Sequence, residues 1–176
     1  MTDDVPAQYE PMALSLESER LLLRPFESED AAAYADLIAE RGPGARGYGT
    51  TVDGARENIE RLAKERNRTG IGFLAIHRRD ESDLIGYAGL LVGRASLEEP
   101  EIAYELFSRV HGNGYATEAA AAIIEAAVET GRKRLWSTVA AWNHRSLRVL
   151  EKNGFREDHV ETHEDSGDVV YLVRDL

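Results

Sequence analysis

The stretch from Glu101 to Gly131 constrains this chain more than any other. Glu101-Ile-Ala-Tyr-Glu-Leu-Phe107 is rich in β-branched and aromatic residues, which predicts a strand. Ala116, Ala119, Ala120, Ile123, Ile124, Ala127 and Val128 then recur at the spacing of one helix face, and Gly131 stands where such a helix would end. Between strand and helix lies Arg109-x-x-Gly112-x-Gly114. Glycine has no Cβ, so backbone N–H groups there can approach a ligand closely. A helix's first turn also carries N–H groups without intrahelical partners and the positive end of the dipole. Strand, glycine turn and helix N-terminus in succession form a cradle for an anion such as a pyrophosphate.

Two glycines before a helix also occur in turns that bind nothing, and other phosphate motifs carry further requirements. A dinucleotide fold requires a third glycine and an acidic residue roughly 20 positions on, and a P-loop requires Gly-Lys-Ser/Thr. Gly114 is followed by Tyr115 and Ala116, and neither pattern is met. The segment resembles the acyl-CoA signature Gln/Arg-x-x-Gly-x-Gly/Ala of the GNAT N-acetyltransferase superfamily. The extension Gly112-Asn-Gly-Tyr-Ala-Thr-Glu-Ala119 is similar to its ribosomal-protein-alanine (Rim-type) branch. A second segment, Asn143-His-Arg-Ser146 with Glu151-Lys-Asn-Gly-Phe155, resembles the family's Asn-x-x-Ser…Glu-Lys-x-Gly-Phe. Glu19 to Phe26 is similar to the opening strand of the Rim-type branch.

The elements between these motifs agree with that order. Residues 1–17 carry Pro6 and Pro11 without periodicity and read as a mobile tail or an arm; a single domain is expected over 18–176. Arg20 to Arg24 reads as a strand. Ser28 is expected to cap a helix burying Ala31, Tyr34, Ala35 and Ile38, which stops at Gly42-Pro43. Asp53 is a candidate cap for a second helix. Gly72–His77 and Leu84–Val92 predict a hairpin, Leu135–Val139 a strand, and Asn143 the cap of a helix ending at Asn153-Gly154. A further strand follows, then an acidic loop with Glu161, Glu164, Asp165 and Asp168, and a last strand Val169–Val173. The fold class is α/β (α+β), in the order β-α-α-β-β-β-α-β-α-β-β. That predicts a mixed sheet of about six to seven strands with about four helices, the order of the GNAT fold.

Composition excludes several chemistries. With no cysteine there is no disulfide, thiolate metal site or cysteine nucleophile. His77 has no partner at ligand spacing, and no metal is expected. The formal charge of −11 argues against a nucleic-acid partner. No apolar run approaches the roughly 20 residues that span a bilayer, and the N-terminus lacks a signal peptide's pattern, so a cytoplasmic protein without a membrane partner is expected. The acidic surface serves solubility or attracts cationic acceptors. Homodimers are common in the resembled branch; no sequence feature establishes one here.

The resemblance implies an acetyl-CoA-dependent N-acetyltransferase, with acetyl-CoA as co-substrate and an amine, either a protein N-terminus or a small molecule, as acceptor. It places the pantetheine arm on the backbone near Leu106 and Phe107. It places the pyrophosphate on Arg109 and the N–H groups of Val110, His111, Gly112, Asn113, Gly114, Tyr115 and Ala116. Asn143 is open to capping its helix, touching CoA, or both. Catalytic candidates are Glu101 and Glu105, which share one face of their strand and could act as a base through water, and Ser146, whose counterpart lies near the CoA sulfur. The family's tyrosine acid has no counterpart in the Asn143 helix. A non-catalytic acyl-CoA-binding module is the alternative; it would keep the cradle and tolerate loss of the carboxylates.

Overall fold

The computed structural model describes residues 9–42, 49–164 and 167–176. In chain order its elements are β1 (Leu16–Glu17), β2 (Leu21–Arg24), α1 (Ala31–Ala39), α2 (Val52–Thr69), β3 (Phe73–Arg78), β4 (Leu84–Leu91), β5 (Glu101–Leu106), α3 (Tyr115–Glu129), β6 (Arg134–Ala140), α4 (His144–Lys152), β7 (Arg156–His163) and β8 (Gly167–Asp175). The expected order holds. The sheet has eight strands rather than six or seven, because the two residues of β1 pair with β2.

The strands lie in the order β1-β2-β3-β4-β5-β6-β8-β7. All neighbours are antiparallel except β5 and β6, which α3 joins as a crossover. Tyr87 of β4 packs against α1 and lies opposite Glu105, whereas Tyr104, the next residue of β5, reaches α4. By the pleat, α1 and α4 therefore cover opposite faces of the sheet. The core between the sheet and α3 contains Leu74, Ile76, Ala88, Leu90, Ile102, Ala119, Ala120 and Ile123. Alanine on the buried side of α3 lets that helix lie close to the strands, with Ile123 and Ile124 filling the remaining volume.

Local details depart from expectation for identifiable reasons. Ser28 does not cap α1: Ser28–Asp30 form a 3₁₀ turn in which the Asp30 carboxylate accepts from the Glu27 N–H at 2.8 Å. Thr51, not Asp53, caps α2 by accepting from the Gly54 N–H at 3.2 Å, leaving Asp53 to pair with Arg56. Val128 faces solvent at 50% exposure, because the buried stripe of α3 turns toward Ala126 and Ala127. Gly154 alone adopts the left-handed conformation after α4, while Asn153 stays at φ −93°. The acidic loop is shorter than expected: Glu161 belongs to β7 and Asp168 to β8, and Asp165 lies outside the described residues. Of the glycine-rich segment after α1, residues 43–48 also lie outside.

Residues 9–17 pack as an arm, with Met12 in the core and the Glu10 N–H donating to Thr130 C=O at 3.0 Å. His77 is buried 3.4 Å from Asp30, a structural position. Among the described residues no helix is long and apolar enough to cross a membrane, and no His, Asp and Glu cluster could hold a metal ion.

Candidate functional site

β5 and β6 begin side by side and then part. Glu101 and Trp136 are their one ladder pair; two bonds flank it, from the Trp136 N–H to Pro100 C=O (2.9 Å) and from the Ser137 hydroxyl to Ile102 C=O (3.1 Å). On its other edge β5 is fully laddered to β4, where the Phe107 N–H donates to Ile85 C=O at 2.9 Å. Antiparallel alternation then aims the backbone of Tyr104 and Leu106 into the gap. Phe107 is a correction: its N–H is held by Ile85 and its C=O accepts from the Val110 N–H, so its backbone is committed within the fold. Leu106 and Tyr104 hold the gap-facing positions.

The gap leads to the cradle. Gly112 (φ +81°) and Gly114 (φ +82°) both take the left-handed conformation, which other residues adopt at a cost of roughly 1–2 kcal/mol. Gly114 starts α3 with no side chain capping the helix, so the first-turn N–H groups at Tyr115 and Ala116 are presented outward. A Cβ at Gly112 would meet nothing within 4 Å, and one at Gly114 only Arg20 Nη2 at 3.5 Å. Those are open approaches to backbone N–H groups, and they fit a phosphate. Val110 and His111 are a second correction: the Val110 N–H donates to Phe107 C=O and the His111 N–H to Ser108 C=O, both at 3.1 Å, so neither is presented to a ligand. Asn113 turns its amide onto the Val110 C=O at 3.1 Å, which leaves its backbone N–H to the turn.

Three arginines from separate elements surround this turn. Arg109 stacks on Phe107 and bonds Asp83 (3.1 Å) and Leu84 C=O (3.2 Å), which ties it to the β3–β4 turn and offsets part of its charge. Arg20 lies over the Tyr115 ring, donates to Asn113 C=O at 2.9 Å and pairs with Glu118. Burial raises the Glu118 pKa, but hydrogen bonds from Ser18 and Arg20 outweigh it and leave the carboxyl below its ordinary value. Arg145 donates to His111 Nδ1 at 3.2 Å while His111 Nε2 lies 2.9 Å from Leu106 C=O. A carbonyl only accepts, so His111 is the Nε2–H tautomer and links α4 to the end of β5. Nothing local in the sequence marked Arg20 or Arg145, since the fold brings them in from 93 and 34 residues away.

The candidate catalytic side chains fall on two faces. On the α1 face, Glu101 is 6% exposed; it accepts from the Arg94 N–H and from the Thr138 hydroxyl at 3.0 Å. Glu105 binds the Arg41 guanidinium and the Tyr87 hydroxyl (2.8 Å). Beside it, Tyr34, Arg41, Asn58, Phe73 and Tyr87 line a cavity of about 190 Å³. On the α4 face, Asn143 caps the helix, its Oδ1 accepting the Ser146 N–H at 3.2 Å. Ser146 Oγ lies 3.0 Å from the Tyr104 hydroxyl. The structure thus brings Ser146 and Asn143 together and sets both across β5 from Glu101 and Glu105. Tyr104 was missed because the sequence pattern sought a tyrosine within α4. Glu161 is engaged by the Tyr171 hydroxyl at 2.9 Å.

A parted strand pair opening onto a bare helix N-terminus is matched by family comparison: residues 20–156 fit the acetyltransferase (GNAT) domain. The chain belongs to the GNAT family. This GNAT chain is 29% identical over 151 residues to the uncharacterized N-acetyltransferase YoaA of Bacillus subtilis (strain 168), covering 82% of the chain and 84% of the relative. Among solved structures, the acetyltransferase from Agrobacterium tumefaciens strain C58 shares 29% identity at a TM-score of 0.73, with 91% and 93% coverage. RimL, a ribosomal L7/L12 α-N-protein acetyltransferase solved with coenzyme A, shares the fold at a TM-score of 0.78 and 16% identity, with 95% and 98% coverage. Family membership makes this GNAT protein an acetyltransferase that uses acetyl-CoA.

Proposed function

We propose that this chain transfers the acetyl group of acetyl-CoA directly to a primary amine, either a protein N-terminal α-amine, as the Rim-type motifs suggest, or a small-molecule amine. The observation that carries the reading is the gap between β5 and β6, which joins the cradle to both faces of the sheet. Pantetheine along Tyr104 and Leu106, with phosphates at Gly112–Ala116, directs the thioester between Ser146 and the β5 carboxylates.

Of those carboxylates, Glu101 is the stronger candidate for the base that takes the amine proton through water. Its contacts are neutral donors, an N–H and a hydroxyl, whereas Glu105 shares its charge with Arg41. Glu105 and the neighbouring cavity orient the acceptor. Holding amine and thioester together contributes most of the rate, because effective molarities reach on the order of 10⁵ M.

Calorimetric titration with acetyl-CoA and CoA, followed by thiol release against amines and N-terminal peptides, tests the reading. Binding with release for one acceptor class supports it. Binding without release across the panel returns the non-catalytic module. Absence of binding removes the site assignment.

A further inference from the structure

The hydrogen bond between Tyr104 and Ser146 joins β5 to the first turn of α4, the two elements flanking the gap, across 42 residues of chain. The Tyr104 hydroxyl lies within reach of two acceptors on the same residue, Ser146 Oγ at 3.0 Å and Ser146 C=O at 3.1 Å. It has one proton to give. Donated to the carbonyl, that proton leaves Ser146 free to spend its own on the tyrosine oxygen. Donated to Oγ, it fills a serine lone pair and turns the serine proton away from Tyr104. Rotation of two hydroxyls interconverts the arrangements.

Resting on the acetyl-transfer reading, we infer that Tyr104 is a positioning residue: by donating to Ser146 Oγ it aims the serine hydroxyl at the thioester sulfur as the carbon–sulfur bond breaks. The amine nitrogen forms the new bond to the acetyl carbon and the sulfur departs with the C–S electron pair. The Ser146 O–H hydrogen-bonds that charge, and the thiolate afterwards takes a proton from water. Neither alcohol surrenders its proton. Burial pushes the Tyr104 phenol up to about 12 against the partial relief of its bond to Ser146, far above an ordinary thiol near ~8.5. Transfer from the phenol to the leaving thiolate is therefore uphill, while a donated hydrogen bond is not. Charge-assisted hydrogen bonds are roughly twice as strong as neutral ones, so the contact strengthens as the sulfur becomes anionic. That differential accelerates the step.

The test is a cycle of Tyr104→Phe, Ser146→Ala and the double variant, read by thiol release and by calorimetry. Tyr104→Phe is expected to lower kcat roughly tenfold, the size of one ordinary hydrogen bond, with acetyl-CoA affinity within about twofold. The double variant should be no slower than Ser146→Ala alone, because the tyrosine acts through the serine. A second readout needs no turnover. Relative to desulfo-CoA, which cancels every contribution but that of the thiol, CoA should bind the wild type more tightly as pH rises through the thiol range at ~8.5, and this gain should shrink in both single variants. Three results overturn the inference: an unchanged kcat in Tyr104→Phe, a double variant slowed by the product of the two single effects, or a thiolate preference indifferent to Tyr104. A wild type that binds acetyl-CoA and releases no thiol overturns the transfer reading instead, whatever the variants do.

Discussion

Alanine placed at Gly112 or Gly114 separates a ligand-binding cradle from an ordinary turn, because a control exists in the same helix. Gly112, Gly114 and Gly131 share nearly one conformation, with φ of +81°, +82° and +84°. A Cβ at Gly112 or Gly131 meets nothing within 4 Å. Each alanine therefore incurs only backbone strain, roughly 1–2 kcal/mol. For a domain of this size that lowers Tm by about 2–8 °C, at 2–4 °C per kcal/mol. The strain is present with and without ligand, so it cancels from binding. Only at Gly112 and Gly114 does the new methyl lie where phosphates approach the N–H groups, and there calorimetry should record at least a tenfold weaker Kd for CoA, about 1.4 kcal/mol. Gly131→Ala, at the far end of α3, should lose the same thermal stability and keep its affinity. Equal affinity in all three variants would refute the cradle. Weakened binding in Gly131→Ala would show that affinity follows helix integrity, and the reasoning from the glycine turn would fail.

Other variants test the remaining assignments. Glu101→Gln should lower kcat by about 10²-fold or more, as expected for loss of a proton-transfer group, with acetyl-CoA affinity unchanged by calorimetry; Glu105→Gln should act more on the acceptor KM than on kcat. Arg145→Ala should weaken CoA binding several-fold, by about 1 kcal/mol, at low salt and less at high salt, because exposed charges are screened; a salt-independent loss would mean that α4 had shifted. Asp30→Ala removes the buried partner of Arg24 and should cost about 3–5 kcal/mol in urea unfolding. Burial raises the Asp30 pKa, but hydrogen bonds from His77, Arg24 and the Glu27 N–H outweigh it and hold the carboxyl well below its ordinary value. Its stabilisation is therefore complete above the unfolded value near ~3.9 and is lost as pH falls through the folded one, and Asp30→Asn should flatten the acid limb of the stability curve.

Local physics made most of the fold legible. Periodicity placed α3 and the strands, and Gly131 and Gly154 marked helix ends by the one conformation they tolerate well. Asn143 was readable as a cap because a side-chain amide in that position competes for a first-turn N–H. What the sequence withheld depends on tertiary approach. Val128 follows the helical stripe yet faces solvent, since periodicity names a side and not what covers it. Ser28 lost its capping role to a carboxylate that Arg24 also required. Within the site, the glycines and Ser146 announced themselves at fixed spacing. Arg20, Arg145 and Tyr104 gave no local signal, because their relation to the cradle exists only once β2, β5 and α4 are folded around it.

The single ladder pair between β5 and β6 divides the sheet into two panels, β1–β5 and β6–β8–β7, stitched at one end by backbone and bridged elsewhere by α3 and by side-chain bonds such as Thr138 to Glu101 and Tyr104 to Ser146. A pantetheine arm in the opening would supply the absent rungs, so the donor substrate becomes a structural member of the sheet it occupies. Amide exchange in β6 and β8 would then slow with the co-substrate far from the phosphate turn, and the panel bearing Thr138 and Tyr171 would stiffen whenever acetyl-CoA is in place.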